Sequence, residues 1–392
     1  MKTLHIITRL IVGGAQENTV ATCEDQASRH HDSVTLVTGP ETGPEGSLHA
    51  RARDGGFQFL VCDSLRRAIG PRRDLAAYRW LKALIRTQRP DVVHTHSSKA
   101  GILGRAAAAA TNTPCVHTVH GAAFHYGQPK PLQAGYVRAE RWAAKRCERI
   151  ISVCDAMTDA YVEAGVAERD KFTTIYSGFD VEPFLDCSRR EQTRQRLGFG
   201  PDQIVVATVA RLFPLKGHDS LLSVAPAIAA DPRVRFLWVG DGIRRDDYER
   251  QIAELGLSDR FTLTGLVTPP EVPDLMHAAD IVCHPSQWEG LARVLPQGLI
   301  AGKPCVSYDV GGAGEVVVDN ETGRLVDLND ADGLAAAVLE LASDADLRTR
   351  LGSAGRELCR DLFRRETMTA RIREEYARAI DQRQRPGRDA TA

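Results

Sequence analysis

Short, largely apolar runs that stop at a glycine or proline and give way to a helical pattern recur along this chain, and the series runs twice. Leu4-His5-Ile6-Ile7 precedes Gly13-Gly14-Ala15-Gln16, and Cys115-Val116-His117-Thr118-Val119 precedes His120-Gly121. After a polar stretch at 186–203 the pattern restarts: Ile204 to Val209, then Val234 to Val239 before Gly240-Asp241-Gly242, then Phe261-Thr262-Leu263 before Gly265-Leu266-Val267, then Ile281-Val282-Cys283 before His284-Pro285-Ser286. A strand covered on one face alternates apolar and polar residues, whereas runs like these suit strands covered on both faces of a parallel sheet. The 392 residues also exceed what one core usually serves. The expectation is α/β, with two doubly wound parallel-sheet domains at 1–185 and 186–365, and a polar helix near 366–382 that returns to the first.

Several function classes can be set aside. The first βα turn is not G-x-G-x-x-G, and no acid ends the next strand, Ser33 to Val37, to hold an NAD ribose, so a Rossmann dehydrogenase fits poorly. No run is long and apolar enough to span a membrane, and Met1 to Ile6 leads into a strand rather than a signal peptide, so the expected location is cytoplasmic. Nine scattered cysteines without a C-x-x-C pair read as buried thiols in a reducing compartment. Residues 1–180 carry 23 Lys/Arg and 18 Asp/Glu, the remainder 27 and 33. That mild basicity, with Arg138, Arg141, Lys145, Arg146 and Arg149 around Trp142, suits an anionic membrane surface or simply a solvated helix face. Nucleic acid would need a denser basic face with interleaved aromatics.

The chemistry concentrates at Ser286-Gln287-Trp288-Glu289-Gly290-Leu291-Ala292 and at Gln297. An open parallel sheet binds ligands at strand C-ends, where helix N-terminal amides attract phosphate. Glu289 at a glycine turn can accept hydrogen bonds from sugar hydroxyls, and Gln297 is expected two turns on, on the same helical face. Arg211 and Lys216 follow another strand and can clamp a diphosphate. His120 ends a strand on the same kind of edge. His94 and His96 share a strand face, but no third ligand is spaced nearby, and Asp330-Ala331-Asp332 and Asp344-Ala345-Asp346 read as helix N-caps, so no metal is expected.

In the order and spacing of these motifs, from Gly13 to Glu315, the chain resembles retaining glycosyltransferases of family 4, which have the GT-B fold of two Rossmann-like domains facing across a cleft. The resemblance implies that Gly13 and Gly14 approach the diphosphate of a nucleotide-sugar donor, that His120 contacts the transferred sugar, and that Arg211 and Lys216 bind phosphate. It also places Glu289 on sugar hydroxyls, the backbone near Gly242, Gly290, Leu291 and Ala292 around sugar and phosphate, and Leu266 and Val267 at the base. His96, Ser97 and Lys99 would face the acceptor, a glycan or lipid-linked hydroxyl. Glu289 matches the first acid of the family's E-x7-E motif, but the second is Gln297 here, which keeps a carbonyl for the ribose and gives up the charge. The implied activity is a metal-independent hexosyl transfer in cell-surface polysaccharide synthesis, on the inner face of the membrane. The alternatives are a nucleotide-sugar 2-epimerase of the same fold and a non-catalytic nucleotide-sugar-binding homologue.

Overall fold

The computed structural model describes residues 1–43, 46–124 and 128–384; the tail at 385–388, expected from its composition to be unstructured, lies outside them. The chain divides into two compact units, Met1–Phe179 with Arg364–Ala392, and Asp180–Phe363.

The first unit is built on β1 (Lys2–Ile6), β2 (Ser33–Thr38), β3 (Gln58–Val61), β4 (Val92–His96), β5 (Cys115–Val119), β6 (Arg149–Ser152) and β7 (Phe172–Thr174). They form one sheet in the order β3-β2-β1-β4-β5-β6-β7, each adjacent pair parallel. The second unit holds β8 (Ile204–Val209), β9 (Val234–Val239), β10 (Phe261–Leu263), β11 (Ile281–His284), β12 (Cys305–Tyr308) and β13 (Gly323–Val326), in the order β10-β9-β8-β11-β12-β13, again parallel.

The apolar runs do what their composition requires. Along β8, Ile204 and Val206 enter the core on one face of the sheet while Val205 and Ala207 enter the core on the other. In each unit the strand order reverses beside the first strand of the series, β1 or β8, and that is where an open sheet leaves a crevice at its C-terminal edge.

The first break in the chain falls at Phe179/Asp180 rather than at 185/186, and the second at Phe363/Arg364. Glu182–Leu185 forms a short helix that packs on Val272–Ala278 and Val294–Ile300 of the second unit. Phe179 and Arg364, at the two crossings, are bridged, and the Arg365 amide donates to the Phe179 carbonyl at 3.2 Å. Ile175 to Gly178, which follow the last strand of the first series, have no regular structure; Ile175 drops into the core beneath the last helix.

That last helix, Arg365–Gln384, completes the first unit. Met368, Ile372, Tyr376 and Ala379 pack on Val92, Val116 and Ile151. Its polar residues are paired as well: Arg365 with Glu24 and Asp25, Arg373 with Asp32, and Glu375 with Arg149.

Asp330 and Asp344 are N-caps, accepting from Gly333 N at 2.9 Å and Leu347 N at 2.8 Å. Asp330→Ala and Asp344→Ala should each cost about 1 kcal/mol in chemical denaturation, with or without a divalent cation. A cation-dependent loss would contradict the capping role.

Candidate active site

Glu289 is the hub of the second unit's site. Its Oε1 accepts from Lys216 Nζ at 2.5 Å and Ser286 Oγ at 3.1 Å, and lies 3.4 Å from His284 Nε2. β11 carries His284 to the sheet edge, and the loop that follows folds back so that Ser286 Oγ and the Gln287 amide both donate to the Leu215 carbonyl at 2.9 Å. This staples the β11 loop to the β8 loop and sets Lys216 over Glu289. Burial by itself would raise the Glu289 pKa; the His284 hydrogen bond and the Lys216 charge outweigh it and bring the carboxyl to about 2. Glu289 is therefore a fixed anion at neutral pH.

Two glycines make the loops fit. Gly217, at φ +85°, heads the helix His218–Ile228, and a Cβ there would lie 2.1 Å from the Pro285 carbonyl oxygen. Gly311, at φ +53°, lies under the Glu289 loop, where a Cβ would meet the Glu289 and Gly290 carbonyls at 2.4 Å each; the Gly312 amide donates to the Gly290 carbonyl at 2.6 Å. Gly242 belongs to the β9 loop, which is tied to the β8 loop by the Leu212 amide on the Asp241 carbonyl at 2.9 Å. Arg211 is exposed beside Phe213, its guanidinium carbon 4.9 Å from the ring. Leu266 projects from the β10 end, 58 % exposed, with Val267 beside it and partly buried.

The expectation that Glu289 and Gln297 share a helical face is corrected. Glu289, Gly290, Leu291 and Ala292 form a non-helical loop, and the helix is only Val294–Ile300, so Gln297 alone is helical. Ser286, Gln287 and Glu289 are all held toward the β8 loop, which keeps this segment irregular.

In the first unit, Gly13 and Gly14 open the helix Gly14–Ser28, with Gly14 exposed. Ser97 holds φ +60° as it leaves β4, and its hydroxyl is 2.8 Å from Thr8 Oγ1. Backbone held in this region persists where neighbours over-determine it, often at functional sites. Lys99 is ion-paired to Asp74 at 2.7 Å. His96, expected on the acceptor side, is fully buried behind His120, with 3.1 Å between His96 Nδ1 and His120 Nε2.

The third histidine not seen near His94 and His96 in sequence is His5, which β1–β4 pairing sets opposite His94. One potential ligand atom from each of the three lies within 4.8 Å of the others. All six of their ring nitrogens already have hydrogen-bond partners: His5 with His96 and Gln26, His94 with Tyr376 and Thr118, His96 with His5 and His120. A cation there would have to break bonds the rings already make. Burial lowers His5 and His120 to about 4 and the other two well below the ordinary histidine value, so the cluster is neutral at pH 7.

Known proteins share both units. Residues 13–178 match the glycosyl transferase 4-like domain, and residues 189–358 match glycosyl transferases group 1. The UDP-Gal:alpha-D-GlcNAc-diphosphoundecaprenol alpha-1,3-galactosyltransferase of Escherichia coli is 31% identical over 351 residues, 88% of this chain and 88% of that one. The chain belongs to glycosyltransferase family 4. The family 4 relatives also include the D-inositol 3-phosphate glycosyltransferase of Mycobacterium marinum, 31% identical over 308 residues, 74% of this chain and 64% of that one. In fold, this glycosyltransferase is similar to Anabaena HepE in complex with UDP-glucose, with a TM-score of 0.81 and 24% identity over 96% of this chain and 100% of that one. WaaG, a glycosyltransferase involved in lipopolysaccharide biosynthesis, gives 0.74 and 17% over 96% and 99%. The fold is GT-B.

The structure brings Lys216, Glu289, Gly290 and the Gly311–Gly312 turn together at the C-terminal edge of the second unit's sheet, with His284 and Ser286 as the carboxylate's further partners. Ser286 falls within the stretch singled out from the sequence, whereas His284 reads there only as part of the strand stop.

Proposed function

We propose that this glycosyltransferase moves a hexose from a UDP-sugar to a hydroxyl of a lipid-linked glycan, with retention of anomeric configuration and without a metal, in cell-surface polysaccharide synthesis. The Lys216–Glu289 pair carries the reading. It sets a cation and an ionised carboxylate side by side at a sheet edge: the ammonium suits a diphosphate, and the carboxylate suits sugar hydroxyls. The choice of UDP and of a lipid-linked acceptor is supported by the Escherichia coli relative's own donor and acceptor.

On this reading Lys216 turns from Glu289 to the β-phosphate as the donor binds, and Arg211 joins it. Negative charge that grows on the leaving phosphate is met by these fixed cations, the electrostatic contribution that usually dominates such sites. Glu289, Gly290, Leu291 and Ala292 hold the sugar, Gln297 the ribose, Leu266 and Val267 the base, and Gly13 and Gly14 the diphosphate. His120 contacts the sugar, and Ser97 and Lys99 serve the acceptor. The acceptor oxygen attacks on the face the nucleotide leaves, and the departing phosphate takes the proton.

Thermal shift tests this directly. UDP-sugars, with EDTA present, should raise the midpoint of unfolding selectively over GDP-, ADP- and dTDP-sugars, by the RT ln(1 + [L]/Kd) of ligand linkage. The product made from an α-donor should be α by NMR. A β-product, or a shift that requires Mg²⁺, would overturn the mechanism.

Among the described residues no helix is long and apolar enough to cross a membrane. Contact with the acceptor's membrane is assigned to the helix Lys130–Ala144, which presents Leu132 and Trp142, 48 % and 44 % exposed, beside basic residues. The nearby charge is smaller than a sequence count gives, because Arg149 is paired with Glu375. The protein should co-sediment with anionic vesicles and not with neutral ones, and Trp142→Ser should weaken that binding several-fold.

A further inference from the structure

The buried histidines of the first unit form a row with a defined end. Gln26 Oε1 lies 3.0 Å from His5 Nε2, His5 Nδ1 lies 3.1 Å from His96 Nε2, and His96 Nδ1 lies 3.1 Å from His120 Nε2. The His5 and His96 planes are 9° apart with centroids at 5.4 Å. With that N···N distance, the rings are set end to end along a hydrogen bond rather than face to face. The far end, His120 Nδ1, is buried and has no hydrogen-bond partner among the described residues.

A neutral imidazole has one N–H and one lone pair, so each ring passes on the choice made by the ring before it. The Gln26 carbonyl can only accept, so His5 carries its proton on Nε2. The other group within reach of that nitrogen among the described residues is the Tyr376 hydroxyl at 3.3 Å, which can also accept. His5 Nδ1 must then accept from His96 Nε2–H, and His96 Nδ1 from His120 Nε2–H. The orientation of the amide is itself fixed. Thr3 Oγ1 is buried and donates to Gln26 Oε1 at 3.0 Å, while Gln26 Nε2 donates to Tyr376 at 3.1 Å. Turning the amide over would leave the Thr3 hydroxyl with no acceptor among the described residues, and would leave His120 with a buried, unmatched N–H.

We infer that Gln26 sets the tautomer of His120 through His5 and His96, so that His120 keeps Nε2 protonated and offers a bare Nδ1 as acceptor to a sugar hydroxyl. The last clause rests on the assignment of His120 to the sugar. Gln26, His5 and His96 are positioning residues. An amide takes up no proton at neutral pH, so the row holds a pattern and transmits no net proton. The low basicity of the buried rings keeps all of them neutral while it does so.

Two-bond ¹H–¹⁵N spectra of the full, ligand-free chain labelled in histidine read the tautomers, with His120→Asn assigning one ring. At pH 7, His5, His96 and His120 should all be neutral and Nε2-protonated. Gln26→Leu should turn His120 into a mixture and lower kcat about tenfold with little change in KM, as loss of an orienting partner typically does. Gln26→Glu, which keeps only acceptors at that end, should retain the His120 signature. A wild-type His120 protonated on Nδ1, or a His120 unchanged by Gln26→Leu, overturns the inference; if the Leu variant does not fold, the wild-type and Glu spectra decide it. An altered tautomer with intact turnover overturns the assignment of His120 to the sugar and the catalytic half of the inference, while the hydrogen-bond row stands.

Discussion

Lys216→Ala is expected to lower kcat by about 10²- to 10³-fold in sugar transfer, the range seen when a preorganised group is withdrawn from developing charge. The effect should fall mainly on kcat, because charge on the leaving phosphate grows along the reaction and the ground state demands less. Lys216→Arg keeps the charge but replaces a compact ammonium with a planar fork, and should recover part of the rate. The variant also strips Glu289 of a cation. Burial pushes that carboxyl up and the cation helps hold it at about 2, so its pKa must rise in Lys216→Ala. The sign for stability follows. A carboxyl depressed on folding stabilises the protein above its unfolded value and loses that contribution as pH falls through about 2. Wild type and Lys216→Ala should therefore differ most in urea midpoint near neutrality, and the gap should close as the pH is lowered toward that value. Near wild-type turnover in Lys216→Ala, or a gap independent of pH, would show that the pair does neither job.

Tyr376→Ala should destabilise the first unit by about 3 to 5 kcal/mol, the usual cost of emptying a large buried side chain. Tyr376 is wholly buried, packs with Met368, Ile372 and Ala379, and its hydroxyl lies 2.6 Å from His94 Nδ1 and 3.1 Å from Gln26 Nε2. Tyr376→Phe keeps the ring and leaves those two polar groups unmatched in a dry interior, which should cost about 1 to 3 kcal/mol. Chemical denaturation followed by a probe in the first unit separates the two. If Phe costs as much as Ala, the hydroxyl rather than the ring holds the helix.

The sheets were legible in the sequence because burial on both faces leaves no ambiguity of period: Ile204 to Val209 is expected and observed as a strand with the same ends. Glu289, Lys216 and the glycine loops could be found because strand C-ends are marked locally by glycine, proline and charge. Three things were not legible. The helix expected to link Glu289 to Gln297 starts only at Val294, since hydrogen bonds to Leu215, far away in the chain, hold the loop open. His96 is expected on the acceptor side only through the family resemblance of its segment, but the sheet turns it inward. His5 could not be joined to His94 from spacing, because strand register, not sequence distance, brings them together.

The return of the helix Arg365–Gln384 to the first unit also dictates an order of assembly during synthesis. On a ribosome the usual rule is that the N-terminal domain closes first. Here Asp180–Phe363 is continuous and can close while the chain is still being made, whereas the sheet begun at Lys2 must wait, with Val92, Val116 and Ile151 uncovered, until Tyr376 has emerged. The earlier-made half of the enzyme is thus the last to mature, and a nascent chain stalled before that helix would carry an open apolar sheet face that chaperones can read.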